Sequence, residues 1–330
     1  MALASGVSVA TVSNALTGRR PVNAATAARV QAEAARLGYR VNRAARSLRT
    51  SRTDTIALCL SNNFEGGLDL TSDYLMQIVR AATDSAFAAG QRVLLSPALH
   101  TFGDVAALGV DGALIMDPVP SDPQLDFFDD AGIPVITFER DPGRPGHEWV
   151  VRADNDRAVR LLLDHLREVG AQRPAMVVRS SDVRDIPWEA ELETAYRAWC
   201  DETGVPARVL TIDGLEQFPA DGVAAIRGLL ERDDRPDAVV ASFEFDGVTA
   251  TRAARDLGLS VPDDLLVAVA LDGSLARASR PTLTAVDIAP ALQASMAVEL
   301  LLARIEGRPA TPPPPVLPQL LPRESTSRPR

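Results

Sequence analysis

From Asp54 onward, short apolar runs alternate with stretches of helical period, and no other feature narrows the fold as much. "TIALCL", "RVLLS", "DGALIM", "PVITF", "AMVV", "ARVLTI", "AVVAS" and "LLVAVAL" read as strands. They are continuously apolar and lack the polar alternation of a sheet with one wet face. Between them lie "YLMQIVRAATDSAFAAG", "DRAVRLLLDHLREVG", "ELETAYRAWCDETG", "VAAIRGLLERD", "GVTATRAARDLG" and a late "LQASMAVELLLARIEG". Strands separated by helices of roughly ten to fifteen residues form parallel sheets covered on both faces. There are too many strands for one comfortable sheet. The sequence therefore predicts two similar α/β lobes over residues 54–330, split near 150–160. A ligand would sit between them, at the carboxyl ends of the strands. No fixed-period repeat is visible, and the end, "RPATPPPPVLPQLLPRESTSRPR", is proline-rich and mostly extended.

The first 53 residues are of another kind. They hold nine arginines against one acid, Glu33, in a chain whose formal net charge is −10 and which contains no lysine. An acidic body with a basic arm divides labour electrostatically: the arm can dock on a polyanion while the body stays soluble. A solvated basic tail is the plainer alternative. Residues 1–40 read as a small all-helical domain. In "NAATAARVQAEAARLGY", Asn23 is an N-cap, Ala27, Val30, Ala34 and Leu37 share one face, and Gly38 stops the helix. Residues 41–53 have the composition of a linker, with Arg43, Arg46, Arg49 and Arg52 around only two large apolar side chains, Val41 and Leu48.

In "GVSVATVSNALTG", Ser8 can cap a helix whose Val12 and Leu16 point inward. Val9, Ala10 and Asn14 then lie outside, flanked by Thr11 and Ser13. Hydroxyls and a helix N-terminus hold phosphates, Asn pairs bidentately with adenine, and Ala and Val touch a thymine methyl. Taken alone, the same residues also describe an ordinary polar surface helix. Together with "VNAATAARVQAEAARLGYRVNRAARSLRT", the stretch from residue 6 to residue 50 resembles the DNA-binding headpiece and hinge of the LacI/GalR family of transcriptional regulators. The resemblance implies that the helix from Val9 is the recognition helix of a helix-turn-helix and that Asn42 to Leu48 is a hinge helix formed on the operator. It implies that Leu48 wedges between base pairs in the minor groove. It adds Asn23, Tyr39, Asn42, Arg43 and Arg46 to the residues that touch DNA. An isolated helix of two turns is marginal in water, so such a hinge folds only when DNA and a second copy hold it. Leu48 packing on the body is the alternative. Only Met1 to Ser5 precede the turn, about one turn where the family has two or more. The expectation is that Leu3 partly covers Val12, that the third helix does the rest, and that the true start lies upstream; a weakened headpiece is the second explanation.

The body continues the resemblance through "DTIALCLSNN", "VDGALIMDP", "GIPVITFER", "RADNDRAVRLLLDHLREVG", "GLSVPDDLLVAVALDGS" and "RPTLTAVDIAP". It implies a periplasmic-binding-protein-like fold, a small-molecule effector in the interlobe cleft and a homodimer. Asn62, Asn63, Asp117, Arg184, Trp188, Leu192, Phe243 and Asp272 are the candidate cleft residues. Two departures from the family pattern stand out. Leu192 occupies the place where sugar-binding members carry an arginine, and Phe243-Glu244 replaces an Asn-Asp pair. Both remove polar grips, which predicts a more apolar or cationic ligand, or none.

No aliphatic run reaches membrane-spanning length and no secretory leader is recognisable, so the expected location is the cytoplasm. Cys59 and Cys200 each stand alone and read as buried thiols. There is no GxGxxG, P-loop, GxSxG or HExxH, and His100, His147 and His165 are scattered. Neither an enzyme nor a resident cofactor or metal is expected; the missing phosphate loop argues against a dinucleotide enzyme. The sequence predicts a repressor that binds a pseudo-palindromic operator as a homodimer under effector control. A cytoplasmic small-molecule sensor that no longer holds DNA tightly is the alternative.

Overall fold

The computed structural model describes residues 1–17, 20–38, 52–61, 73–180, 187–214 and 216–327. They divide into two compact units, Met1–Asp54 and Thr55–Arg330.

The small unit is helical: α1 (Ala2–Ser5), α2 (Val9–Thr17) and α3 (Ala24–Arg36). Ser8 Oγ accepts from the Thr11 amide at 3.0 Å and caps α2. Asn23 Oδ1 accepts from the Ala25 amide at 2.9 Å and caps α3. Among its described residues the buried apolar side chains are Val12, Val30 and Ala34. At about 1.5–3 kcal/mol for a fully buried aliphatic side chain, such a core offsets little backbone entropy. Two expectations are corrected. Leu37 does not join the apolar face: α3 ends at Arg36, Leu37 takes a non-helical cap conformation, and its side chain is half exposed. Leu3 does not cover Val12 but is fully exposed. The single turn of α1 stops at Gly6, whose φ of 64° suits glycine, and it is Ser5 that is buried.

In the large unit, a five-stranded parallel sheet runs in the order β2-β1-β3-β4-β5: β1 (Thr55–Leu60), β2 (Arg92–Ser96), β3 (Gly112–Met116), β4 (Val135–Phe138) and β5 (Val150–Val151). α4 (Asp73–Ala88) and the late α12 (Pro290–Glu306) cover one face. α5 (Phe102–Leu108) and α6 (Pro123–Asp130) cover the other. Burial on both faces explains the unbroken apolar text of β1, β3 and β4. Gly112 lets α12 lie close on β3, since a Cβ there would lie 2.8 Å from the terminal methyl of Ile305 and 2.9 Å from that of Leu301, and both side chains would have to shift.

The second sheet has the order β11-β10-β9-β8-β6-β7, made of β6 (Pro174–Ser180), β7 (Val209–Asp213), β8 (Ala238–Ala241), β9 (Leu266–Val269), β10 (Thr284–Asp287) and β11 (Gln319–Leu321). Its strands are parallel except for β11. α7 (Asn155–Glu168) and α8 (Pro187–Thr203) pack on one face, α9 (Ala220–Glu231) and α10 (Glu244–Asp256) on the other, with the short α11 (Ser274–Ala278) beyond. The chain passes between the two lobes at residues 152–154, 288–289 and 307–318. Ala153 and Val316 pair side by side in two of these crossings. The proline-rich end is therefore partly ordered as β11 and a short 3-10 turn, Glu324–Thr326. Cys59 and Cys200 are free and buried.

Candidate effector cleft and DNA-reading helix

Parallel strands deliver side chains to their carboxyl ends, and both sheets do so here. In the first lobe, β3 is followed by Asp117, β4 by Glu139 and β5 by Arg152. Asp117 and Glu139 are both buried and both hold left-handed backbone, with φ of 41° and 68°. For residues other than glycine that conformation costs about 1–3 kcal/mol and persists only where the surroundings dictate it. Burial raises Asp117 to about 7. Burial, with repulsion from Asp117 and Glu191, raises Glu139 to about 8 against the opposing pull of Arg152 and Asn155. The Tyr74 hydroxyl is also pushed up, first by burial and then by the two carboxylates. Arg152 Nη1 lies 2.6 Å from Glu191 and 3.7 Å from Glu139, so it serves Glu191 first. Asn155 Nδ2 donates to Glu191 at 2.9 Å and more weakly to Glu139 at 3.4 Å.

The second lobe presents an aromatic group instead. Trp188, in the first turn of α8, meets Phe243, just past β8, edge to face with centroids 5.1 Å apart. Phe243 stacks on Phe245 at 4.9 Å, and Phe218 meets the edge of Phe245 at 6.2 Å. Trp188 and Phe243 keep part of their surface exposed, whereas Phe245 is buried. Beneath them Arg179 is held bidentately by Asp246, at 2.8 and 2.5 Å, and its guanidinium lies 4.8 Å over the Phe245 ring. Both charged side chains are almost wholly buried. Glu189 is 3% exposed, and burial raises it to about 8 against the opposing pull of the Ser242 hydroxyl and the Arg179 backbone.

Leu192 is turned into the lobe core among Tyr196, Trp199 and the α7 leucines, so it offers the cleft no surface. Glu244 accepts from the Ala276 amide at 3.0 Å, and a Cβ at Gly273 would lie 2.2 Å from its carboxylate. This acid therefore secures α11. Asp272 is held by Arg277 at 2.8 Å and Arg323 at 2.6 Å. The other amino group of Arg277 reaches Asp73 of the first lobe at 2.6 Å. Ion pairs thus join the lobes on two sides, Asp73–Arg277 on one and Arg152–Glu191 on the other. Among the sequence-predicted cleft residues, Asp117, Trp188, Phe243 and Asp272 come to these facing edges. Asn62, Asn63 and Arg184 lie outside the described residues. Sequence reasoning missed Glu139, Tyr74, Arg152 and Glu191. Glu139 had a signal: it follows an apolar strand directly, as Asp117 does.

In the small unit, α2 leaves Val9 and Ala10 exposed and Thr11 and Asn14 half exposed, and buries Val12. The Thr11 hydroxyl is 2.9 Å from that of Ser8. Ser13 belongs to the same helix, though its side chain lies outside the described residues, as do Tyr39, Asn42, Arg43, Arg46 and Leu48 altogether. Among the described residues there is no group of His, Cys, Asp and Glu arranged to hold a metal. None of their helices is long and apolar enough to cross a membrane.

Residues 163–326 match a family of periplasmic binding protein-like domains. The HTH-type transcriptional regulator CelR of Thermobifida fusca is 32% identical, over 94% of this chain and 92% of its own length. Catabolite control protein A of Priestia megaterium is 26% identical, over 85% of this chain and 83% of its own. Among solved structures, a CelR–cellobiose complex covers 98% of both chains at 29% identity, with a TM-score of 0.73. A lac repressor dimer bound to operator and an anti-inducer covers 98% of this chain and 97% of its own, with a TM-score of 0.81. At 20% identity that likeness speaks for the fold alone.

Proposed function

The chain belongs to the LacI/GalR family of transcriptional regulators, and from that premise we propose how its residues divide the work of a DNA-binding regulator controlled by a small effector. The reading is that of a repressor acting in the cytoplasm as a homodimer on a pseudo-palindromic operator, with no catalytic step. The observation that carries it is α2: a capped helix that buries Val12 and leaves Val9, Ala10, Thr11 and Asn14 available, within a strongly basic arm. Val9, Ala10 and Asn14 meet base edges, Ser8, Thr11 and Ser13 meet phosphates, and Asn23 and Tyr39 add backbone contacts. Asn42, Arg43 and Arg46 steady a hinge that Leu48 anchors in the minor groove. Two-fold protein symmetry matches two half-sites. In the body, Asp117, Trp188, Phe243 and Asp272, with Asn62, Asn63 and Arg184, surround the effector, and Leu192 acts by withholding a polar grip.

The test is selection of duplexes from a random library by the full chain, followed by anisotropy titrations. The expected product is a pseudo-palindrome bound at least a hundredfold more tightly than random DNA. Leu48→Ala should reduce that ratio while leaving non-specific binding nearly unchanged, because non-specific contacts are phosphate contacts. Equal losses for both would remove the wedge role, and selection yielding no consensus would favour the sensor reading.

A further inference from the structure

We propose that the three crossings between the lobes are unequal: those at 152–154 and 307–318 form one stiff axis, and Ala289, in the third, is the strained pivot at which the lobes turn, whatever effector the cleft takes.

The stiff pair is built by hydrogen bonds and by proline. Ala153 and Val316 run parallel, the Val316 amide donating to the Arg152 carbonyl at 2.8 Å and the Asp154 amide to the Val316 carbonyl at 3.0 Å. The Ala153 and Val316 side chains are both buried. Directly before Val316 stand Pro312, Pro313, Pro314 and Pro315. Each proline fixes its own φ and confines the residue before it, so the run from Thr311 to Pro315 keeps little rotational freedom. Four prolines extended at about 3.1 Å per residue make a semi-rigid spacer of about 12 Å. Its two ends belong to different lobes. Ala310 packs on the core shared by the first sheet and α12. Beyond Val316, Leu320 packs on the core of the second lobe, and β11 pairs with β10.

The third crossing is the shortest. Only Ile288 and Ala289 separate the end of β10 from Pro290, where α12 begins. Ala289 holds φ 52° and ψ 56°, left-handed backbone that a residue with a Cβ takes at a cost. Its neighbours impose it. Asp287 Oδ1 accepts from the Ala289 amide at 2.7 Å. The amide of the buried Gln293 donates to the Ala289 carbonyl at 3.1 Å, and its Nε2 donates to the Ile288 carbonyl at 2.7 Å. Because proline follows, the right-handed helical region is disfavoured for Ala289 and extended backbone is the alternative. Passing from one to the other turns φ by roughly 120° or more at a single residue. That residue leads from β10 of the second lobe into α12, which packs on the first sheet, so the change swings one lobe against the other about the stiff pair. Hinges are a few element-terminal residues that absorb such rotations. The bond from Asp287 holds the strained state, and its loss releases the pivot.

The experiment needs neither DNA nor effector. One spin label per lobe, on engineered cysteines in the full chain with Cys59 and Cys200 replaced, reads the distribution of interlobe distances. Ala289→Gly opens left-handed and extended backbone alike and should widen the distribution about twofold. Asp287→Ala should widen it as well. Ser121→Gly relieves left-handed backbone outside the crossings, at φ 57°, and should leave the distribution unchanged. Pro313→Gly/Pro314→Gly should widen it by freeing the axis. Thermal melts confirm folding, and Asp287→Ala keeps the pivot testable should Ala289→Gly melt early. A distribution unchanged by Ala289→Gly or by Asp287→Ala, or widened as much by Ser121→Gly, overturns the pivot. One unchanged by the paired glycines overturns the stiff axis.

Discussion

The two lobes share an architecture, yet they treat a buried acid in opposite ways. In the second lobe Asp246 meets a bidentate arginine, capped in turn by the Phe245 ring. In the first lobe Asp117 raises Glu139, and Arg152, the arginine partner of Glu139 among the described residues, is nearer to a third acid. A pair of the first kind holds a loop in place. In a group of the second kind, neighbouring acids raise the pKa of Glu139 and the arginine is shared. Buried acids are therefore accommodated in two ways, by a close bidentate counter-ion in one lobe and by a shift toward the neutral form in the other.

The strongest way to break this contrast is Arg179→Ala. Removing one partner of a buried pair leaves the other uncompensated, a loss of about 3–5 kcal/mol. Urea unfolding should show it, and Arg179→Met/Asp246→Leu should recover much of it. Arg152→Ala should cost clearly less, because Arg152 is partly exposed and Glu139 already leans toward its neutral form. Equal losses at the two arginines would erase the distinction.

The pH response sharpens it. Asp117, Glu139 and Glu189 are raised in the folded chain to about 7, 8 and 8. The folded state then holds protons that the unfolded state releases near pH 4. That contribution to stability is complete below about pH 4 and is lost as pH climbs toward 8. Each such proton gives a slope of up to about 1.4 kcal/mol per pH unit. Asp117→Asn/Glu139→Gln should flatten the decline between pH 5 and 8 in thermal melts.

Much of this contrast was hidden in the sequence, for a physical reason. The sheets were legible because strands buried on both faces must be apolar throughout, so β1, β3, β6 and β8 announce themselves. Asp117 could be named because "VDGALIMDP" carries it. Glu139 had the same signal at the end of an apolar strand, whereas Glu191 had none, since a carboxylate in an acidic chain has the same letter whether it is solvated or desolvated. Its pairing with Arg152 depends on a crossing between lobes. Leu192 illustrates the converse. The sequence shows that a polar grip is missing, but only packing shows the side chain turned into the core. In the small unit the caps at Ser8 and Asn23 follow local rules, while Leu37 lost its place in the core to the helix ending one residue earlier.

A smaller effect is expected at the aromatic edge. Phe243→Ala removes one stacked and one edge-on contact, each worth about 0.5–1.5 kcal/mol. The ring is partly exposed, so the measured loss in urea should lie toward the low end. If Phe243→Ala costs as much as Arg179→Ala, the ring is part of the lobe core and not a surface kept for a ligand.

The smallest stability change should come from Asp73→Asn, and its interest lies in what moves. Arg277 is 48% exposed and Asp73 29%, so screening limits their pair to about 0–1 kcal/mol. Such a pair hardly registers in a melt, yet it joins the lobes and depends on their separation. Arg277 keeps Asp272 when Asp73 is neutralised, so α11 should stay in place. The effect should appear as a wider distribution of interlobe distances, read by spin labels on one engineered cysteine per lobe in a background with Cys59 and Cys200 replaced. Raising salt from 0.05 to 0.5 M should reproduce it in the parent chain, since exposed pairs weaken as the screening length falls below about 10 Å. Glu191→Gln, at the other crossing, should widen the distribution with less dependence on salt, because Arg152 is only 17% exposed. If neither Asp73→Asn nor salt changes the distances, the lobes are held by their crossings alone, and the ion pair records a closed arrangement without helping to set it.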